Sequence, residues 1–397
     1  MALTSTSFMA APGGFNITLA NKLDKIDCSQ ILAAVLVADK ALLGHIKMGN
    51  MGTNIQVDWI EDGLNPAYIM ASSSANTKIT CSSGYTTASL TRLLRKKTIV
   101  QPEGTEILMQ ITASASALSN TMTVYGSTVW ASWTLTKCFI VAQPWADMDS
   151  ASEDVSQRRT KRSNFMQVFE RAVQIEQTRL NMGMEAVPSE LQLQITNRTL
   201  EIKRELDMAI IRGSAKISAS NTFSGDSETR TMHGLIQYIR DYDLDTTYED
   251  TTVIQASAAL TVGLINSLAY KIFDQGGLDE TADPIIVVGA AQARVIAAME
   301  KDIRRIEQGE RQVGYYKNIF LTDMGIEMPV VLDRWMPKDK LIILDRSRVS
   351  LRPMQGDAWH AEKMSVTGRS QKWQISGQYT LELRNPDKCH GLMYDLS

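Results

Sequence analysis

Histidine and cysteine are scarce in this chain, four of each in 397 residues, and neither set clusters. His45, His233, His360 and His390 have no short metal-ligand spacing and no serine or cysteine motif beside them, so neither a metal site nor a nucleophile–base pair is expected. Cys28, Cys81, Cys138 and Cys389 are too scattered for a zinc site or a disulfide scaffold, and reduced, intracellular thiols are the expectation. Charge of one sign is missing too: 41 basic and 44 acidic residues leave a formal charge of −3. That disfavours a dedicated nucleic-acid binder, which gathers Lys and Arg against phosphate, but is compatible with a shell that merely encloses nucleic acid. Long hydrophobic runs are also absent. The longest, Ile31 to Ala38, stops at Asp39 and Lys40, far short of a bilayer span. Met1 to Gly14 lacks the basic and apolar regions of a signal peptide. A soluble protein with no membrane contact follows, long enough to bury a core divided between two or three domains.

What is present is strong periodicity. Between Pro188 and Arg212, Leu191, Ile195, Ile202, Leu206 and Ala209/Ile210 recur at helical spacing, with Arg198, Glu201, Lys203 and Asp207 between them. Pro188 suits the first helical position, Glu190 the positive end, and Gly213 a left-handed C-cap. The resulting helix is roughly 37 Å long, a spine able to cross a domain. Near the C-terminus, Trp373, Ile375, Gly377, Tyr379, Leu381 and Leu383 alternate with polar residues, a strand roughly 40 Å long in which Gly377 is available for a bulge or bend. Leu341–Leu344 and Val349–Met354 are its candidate partners.

The rest falls into order around these two elements. Ala20 to Lys47 reads as one or two short helices. Ile55, Val57 and Trp59 alternate as a half-buried strand that ends at Glu61, Asp62 and Gly63. Residues 72–90 are rich in Ser, Thr, Asn and Gly, and strand-like pieces follow at 106–112, 121–125 and 134–141, together an inserted β-rich unit. Phe165, Val168, Phe169, Val173 and Ile175 form an extended segment with too little apolar surface for a core of its own, so it must pair, and the Ile55–Trp59 strand is the predicted partner. Asp241 to Thr252 is an acidic loop. Residues 257–273 predict a helix ending at Gly276–Gly277, 285–288 a buried strand and 290–300 a helix, which suggests an α/β domain.

Chemistry-bearing groupings are few. Asp58, Glu61 and Asp62 could be acid/base carboxylates, but on a strand Asp58 and Asp62 share a face from which Glu61 points away, and salt bridges to a neighbour or a solvated edge fit better. Ile285 to Gly289 precedes a helix without the further glycines or lysine of a phosphate loop. The basic run Arg158–Arg162 suits an acidic neighbour, nucleic acid or a solvated flank. Asp302 to Arg311 is a mixed-charge segment that could meet a symmetry copy or form a solvated helix face. No catalytic residue, metal or cofactor is assigned.

The order of the pieces resembles the major capsid proteins of tailed double-stranded DNA bacteriophages, which share the Hong Kong 97 capsid fold. The likeness rests on VDWIEDGL at Val57–Leu64, RSNFMQVF at Arg162–Phe169, the run from Glu190 to Gly213, and QISGQYTLELRN at Gln374–Asn385. It implies an α+β fold with an N-terminal arm and short helices at 1–53 and an extended loop at 54–181 carrying a β-rich insertion at about 65–146. A peripheral domain of 182–240 and 340–397 would hold the spine helix 188–212, and 241–339 would form the axial domain. It further implies no enzymatic activity, but copies assembling in the host cytoplasm into hexamers and pentamers of an icosahedral virion. Expected partners are other copies, a scaffolding protein, a portal, a decoration protein and the packaged DNA, held without sequence preference. Residues expected at subunit contacts are Trp59, Glu61, Asp62, Arg158, Arg159, Arg162 and Phe165 on the loop, with Arg304 and Arg305 near the axis. An encapsulin-like cargo shell is the alternative within the fold, and an α/β metabolic enzyme the alternative outside it.

Overall fold

The computed structural model describes residues 42–62, 64–65, 67–75, 78–81, 93–113, 121–126, 132–144, 156, 159–181, 189–214, 230–242, 252–299, 304–308, 316–365 and 368–397. The expected helices before residue 42, Arg158, Pro188 and most of the acidic loop lie outside these residues. In chain order the strands begin with β1 (Lys47–Met48) and β2 (Gln56–Glu61). Six strands of the insertion follow: β3 (Tyr68–Ala75), β4 (Lys78–Cys81), β5 (Ile99–Pro102), β6 (Met109–Ala113), β7 (Thr121–Gly126) and β8 (Trp133–Ala142). Then come β9 (Thr160–Phe165), β10 (Gln167–Glu176), α1 (Gln177–Asn181), α2 (Glu190–Arg212) and α3 (Leu235–Asp241). The chain continues through β11 (Val253–Ala258), α4 (Val262–Asp274), β12 (Pro284–Val288), α5 (Ala290–Ala298), β13 (Arg304–Gln308), β14 (Tyr316–Leu321) and β15 (Glu327–Leu332). It closes with β16 (Leu341–Asp345), β17 (Val349–Pro353), β18 (His360–Lys363), β19 (Ser370–Leu383) and β20 (Gly391–Leu396).

Two compact units divide the chain. In the smaller, which includes 170–202 and 360–375, the Gln177 amide donates to the Arg369 carbonyl at 3.0 Å and the Gln174 side chain to Ser370 at 3.1 Å, tying β10 to the start of β19. The larger unit contains the sheet β11-β20-β16-β12-β15-β14-β13 and the insertion. The central strands of that sheet, PIIVV in β12 and LIILD in β16, are buried at every position, the continuous apolar pattern of a strand covered on both faces. Ile265, Leu268, Ala269 and Ile272 of α4 pack onto it. β16 and β20 thus belong with the strands of 253–332, although the sequence places 340–397 in another domain; their flanking turns are local, but their pairing is not.

The insertion is a closed barrel, β3-β4-β7-β6-β5-β8. Its interior, with Ile69, Ile79, Val100, Met109, Ile111, Met122 and Val124, is a core separate from that under α4. Closure leaves the Ser- and Thr-rich strands no open edge and hides a period-two pattern that small polar residues make hard to see.

Several local expectations are corrected. The segment 160–176 does not run as one arm strand: β9 pairs with β2, but β10 joins β19 in the sheet β1-β17-β19-β10. Met166, fully buried between them, marks the handover. Of the two partners expected for β19, β17 pairs with it while β16 pairs with β12 and β20. The helix expected from 257 begins at Val262, where the Thr261 hydroxyl accepts from the Leu264 amide, and of the mixed-charge segment 302–311 the residues Arg304–Gln308 form a strand, which removes the helix-face alternative there. At Gly377 a Cβ would sit 2.8 Å from the Trp359 ring, so its smallness admits the indole. The buried Glu382 of β19 is held by Arg352 at 2.9 Å and Arg384 at 2.6 Å.

Ser189 caps α2, its hydroxyl accepting from the Gln192 amide at 3.4 Å. At the other end Gly213 is not in the left-handed region. It is needed because a Cβ would lie 2.5 Å from the Ala209 carbonyl and 2.6 Å from that of Met232, while one on Gly234 would lie 2.5 Å from the Gly213 amide. The two glycines let the helix end and the entry to α3 touch backbone to backbone, with Gly234 donating to the Gly213 carbonyl at 2.9 Å. Gly213→Ala and Gly234→Ala are each expected to destabilise by about 2 kcal/mol or more in denaturant unfolding, whereas Gly44→Ala, with open space around it, stays within about 0.5 kcal/mol.

Asp345 and His390 close one end of the large sheet. The Asp345 carboxylate accepts from the Asp283 amide, the Ser347 amide and hydroxyl, and Arg348, at 2.7–3.1 Å. His390, fully buried, accepts from the Asp345 amide at Nδ1 over 3.2 Å, so Nε2 carries the proton and donates to the Arg384 carbonyl at 3.1 Å. Burial pushes its pKa down from 6.5 to about 4. The unfolded chain therefore takes up a proton that the folded chain refuses, so stability is full above pH 6.5 and falls as pH drops toward 4. Unfolding curves at pH 7 and 5 should reveal this loss, with a ceiling of about 3 kcal/mol at the bottom of the window, and His390→Gln should flatten it.

Candidate subunit-contact arm

β2 and β9 form an antiparallel pair, Gln56 opposite Phe165 through Glu61 opposite Thr160. Alternation gives the hairpin two faces. Outward lie Asp58 and Ile60, with Lys161 opposite Ile60. Inward lie Val57, Trp59 and Asn164, all buried.

The acidic strand meets the basic strand in a ladder of ion pairs. Asp58 binds Lys161 at 2.7 Å, Glu61 binds Arg162 at 3.1 Å, and Asp62 binds Arg159 at 3.0 Å. The salt bridges expected from these acids to a neighbour are made here within the chain. Hydrogen bonding to Lys161 holds the Asp58 carboxyl below its usual range. The rungs differ in weight: Asp62–Arg159 is well exposed, so solvent screens it, whereas Glu61–Arg162 is largely buried.

The inner face fastens the hairpin to α3 and to the segment after β19, all within the larger unit. Trp59 stacks on Tyr238 of α3 with ring centres 5.9 Å apart, and Arg162 lies over the Tyr242 ring at 4.2 Å. Glu61 also accepts from the Asn385 amide at 2.7 Å and from Trp59 Nε1 at 3.1 Å, and Arg162 lies 3.8 Å from Asp387. Burial raises the pKa of Asp387, an effect that Arg162 opposes. Asn164 completes the joint. Its amide nitrogen donates to the His233 and Leu381 carbonyls at 3.1 and 2.7 Å, and its oxygen accepts from the His233 and Phe165 amides at 2.9 and 2.8 Å. The sequence reading missed Asn164, His233, Tyr238 and Asn385; the only local hint was a polar residue at an inward position of an alternating strand.

Of the residues expected at subunit contacts, Trp59 is only 7% exposed. It, Glu61 and Arg162 are engaged within the chain at the hairpin root. Asp62 and Arg159 are exposed at the far end, and Phe165 is half-buried. Arg304 and Arg305 lie on β13 opposite Phe320 and Ile319 of β14. Arg158 is outside the described residues. The structure does not bring the β13 pair and the hairpin into one site. Among the described residues no His, Cys, Asp and Glu cluster could hold a metal, and no helix is long and apolar enough to cross a membrane.

The sequence matches the SU10 major capsid protein family over residues 11–397. The chain belongs to that family. It is a structural capsid protein of a phage, a component of the virion and not an enzyme. The major capsid protein of Escherichia phage Phieco32 is 22% identical over 280 residues, covering 60% of this chain and 77% of that one. Among solved structures, the capsid of an empty GTA particle aligns over 100% of both chains with a TM-score of 0.51 and 13% identity. The cyanophage A-1(L) capsid aligns over 96% of this chain and 99% of its own, with a TM-score of 0.51 and 10% identity. The fold is the Hong Kong 97 type, and self-assembly into a capsid lattice goes with it.

Within this capsid subunit, Arg162→Ala strands two largely buried carboxylates, Glu61 and Asp387, and is expected to cost about 3 kcal/mol in urea unfolding. Arg162→Lys should recover only part of that, because the stacking on Tyr242 needs a planar cation. Arg159→Ala, which removes only the exposed rung, should stay within about 0.5 kcal/mol of the parent.

Proposed function

We propose that the chain builds the head of a tailed double-stranded DNA phage. Copies assemble in the host cytoplasm into hexamers and pentamers, and these close an icosahedral shell around DNA held without sequence preference. The observation that supports this reading most is the match of residues 11–397 to a capsid family, nearly the whole chain. A scaffolding protein, a portal and a decoration protein are its proposed partners. The sheet of β11–β16 and β20 is assigned to the axial region and α2 with β17 and β19 to the peripheral region. Arg304 and Arg305 of β13 are assigned to the contacts around the capsomer centre.

In this reading the hairpin reaches a neighbouring copy with its outward face. Trp59, Glu61 and Arg162 serve the contact by fixing the root, while Asp62, Arg158, Arg159 and Phe165 meet the neighbour. Ile60 and Leu64, 68% and 92% exposed, are apolar side chains that a solitary subunit leaves in water. Head-to-tail contacts of this kind close into rings, and small changes of angle between rings give curvature. Contacts of on the order of 2,000 Å² or more per subunit are typical of obligate assemblies, and each weak contact gains from the others being made at once.

The Ile60→Asp, Leu64→Asp double variant tests the assignment. A folded subunit with unchanged unfolding midpoint that forms no shells in negative-stain microscopy is expected. Shells of normal yield and diameter would remove the outward face from the contact.

A further inference from the structure

The foot of the barrel and the end of α4 form a complementary pair of surfaces. Lys137 of β8 places its ammonium 2.6 Å from Asp274 Oδ2, and the Tyr68 hydroxyl of β3 donates to the same oxygen at 3.1 Å. Gln275 donates to the Tyr68 hydroxyl at 3.1 Å, Lys137 lies 5.0 Å from the centre of the Tyr68 ring, and Phe139 meets that ring edge-on at 6.0 Å. The ion pair is mostly desolvated, with side chains 10% and 20% exposed, and is therefore sensitive to the sign of its charges. The two surfaces are thus complementary in charge, with an aromatic flank and a hydrogen-bonded rim.

The two halves belong to separately cored parts. The barrel closes on its own hydrophobic cluster, distinct from the cluster that α4 covers, so its fold does not depend on where its foot rests. It is joined to the hairpin by residues 62–67 and 143–159. The shorter connection spans at most about 20 Å when extended. Complementary halves on parts tethered in this way meet within one chain or between two through the same atoms, the condition for exchange between identical subunits.

We propose that in the assembled shell the barrel foot docks on the α4 end of a neighbouring copy, Lys137 of one subunit meeting Asp274 of the partner subunit. The inference rests on the assembly proposed above and adds to it a second, independent head-to-tail contact. Charge complementarity selects the occupant: the cationic foot and the anionic helix end are both carried by every copy.

The test uses the full-length chain. Lys137→Asp and Asp274→Lys are each made alone, together in one chain, and as two singly substituted chains expressed in the same cell. Each single variant sets like charges against each other in every pairing, so particle yield in microscopy and sedimentation should fall at least tenfold. The doubly substituted chain should recover, since the pair is restored with reversed sign. Co-expression discriminates, because opposite charges then meet only between different chains: the foot altered by Lys137→Asp on the helix end altered by Asp274→Lys, and the unaltered foot on the unaltered helix end. Recovered particles containing both chains support docking between copies. Recovery by the double variant but not by co-expression overturns it, as do normal yields from the single variants or a double variant that fails to recover. Wild-type chains that form no particles would instead overturn the assembly reading itself.

Discussion

A two-stranded hairpin has no inside, so whatever orients it must come from its root. Here the root is polar: Arg162 sits among Glu61, Asp387 and the Tyr242 ring, and Asn164 uses both ends of its amide on four backbone groups. Apolar burial alone fixes which face of the hairpin turns inward; a buried amide with matched donors and acceptors further fits one register only. Trp59 adds apolar area against Tyr238. The direction of the hairpin is therefore set by hydrogen-bond geometry and held by aromatic burial.

How much of this was readable before the structure depended on whether the information was local. The spine helix and the long C-terminal strand were legible because period and boundaries lie within some twenty-five residues, and α2 and β19 run close to the expected limits. The split of 160–176 between two sheets was not, since β9 and β10 are separated by a single residue and only their distant partners, β2 and β19, tell them apart. Nor was the root: Asn164 bonds residues 69 and 217 positions away, and Glu61 bonds one 324 positions away. Gly213 was singled out for the wrong property. A sequence shows that a glycine is permitted a left-handed turn; only packing shows that the space for a methyl group is missing.

The subunit also separates two tasks within its larger unit. Burial under α4 gives a sheet whose central strands are apolar on both faces. The barrel holds a second, smaller core that closes without free edges. An inserted β unit with open edges would present unpaired backbone to every other copy at the high local concentration of an assembling shell. Closure removes that hazard, and the side chains at the barrel foot, Lys137 and Tyr68, are engaged with Asp274 rather than with open backbone.

The absence of a chemical motif follows from the same physics. An enzyme fixes residue types at a few points because a reaction needs particular groups at particular distances. A shell subunit needs a long helix, a covered sheet, a fastened arm and complementary surfaces, and many side-chain sets satisfy burial and pairing equally well. That is why solved capsids share the whole course of this chain at TM-scores of 0.51 with only 10–13% identity. The family was recognisable in the sequence through the order and length of its elements, each weak by itself. What does not tolerate such freedom is the buried polar joint, where losing one partner leaves a charge or an amide without compensation. In this subunit the least replaceable pairings are therefore those of Asn164, Arg162 and Glu61, which fix the direction in which the hairpin points.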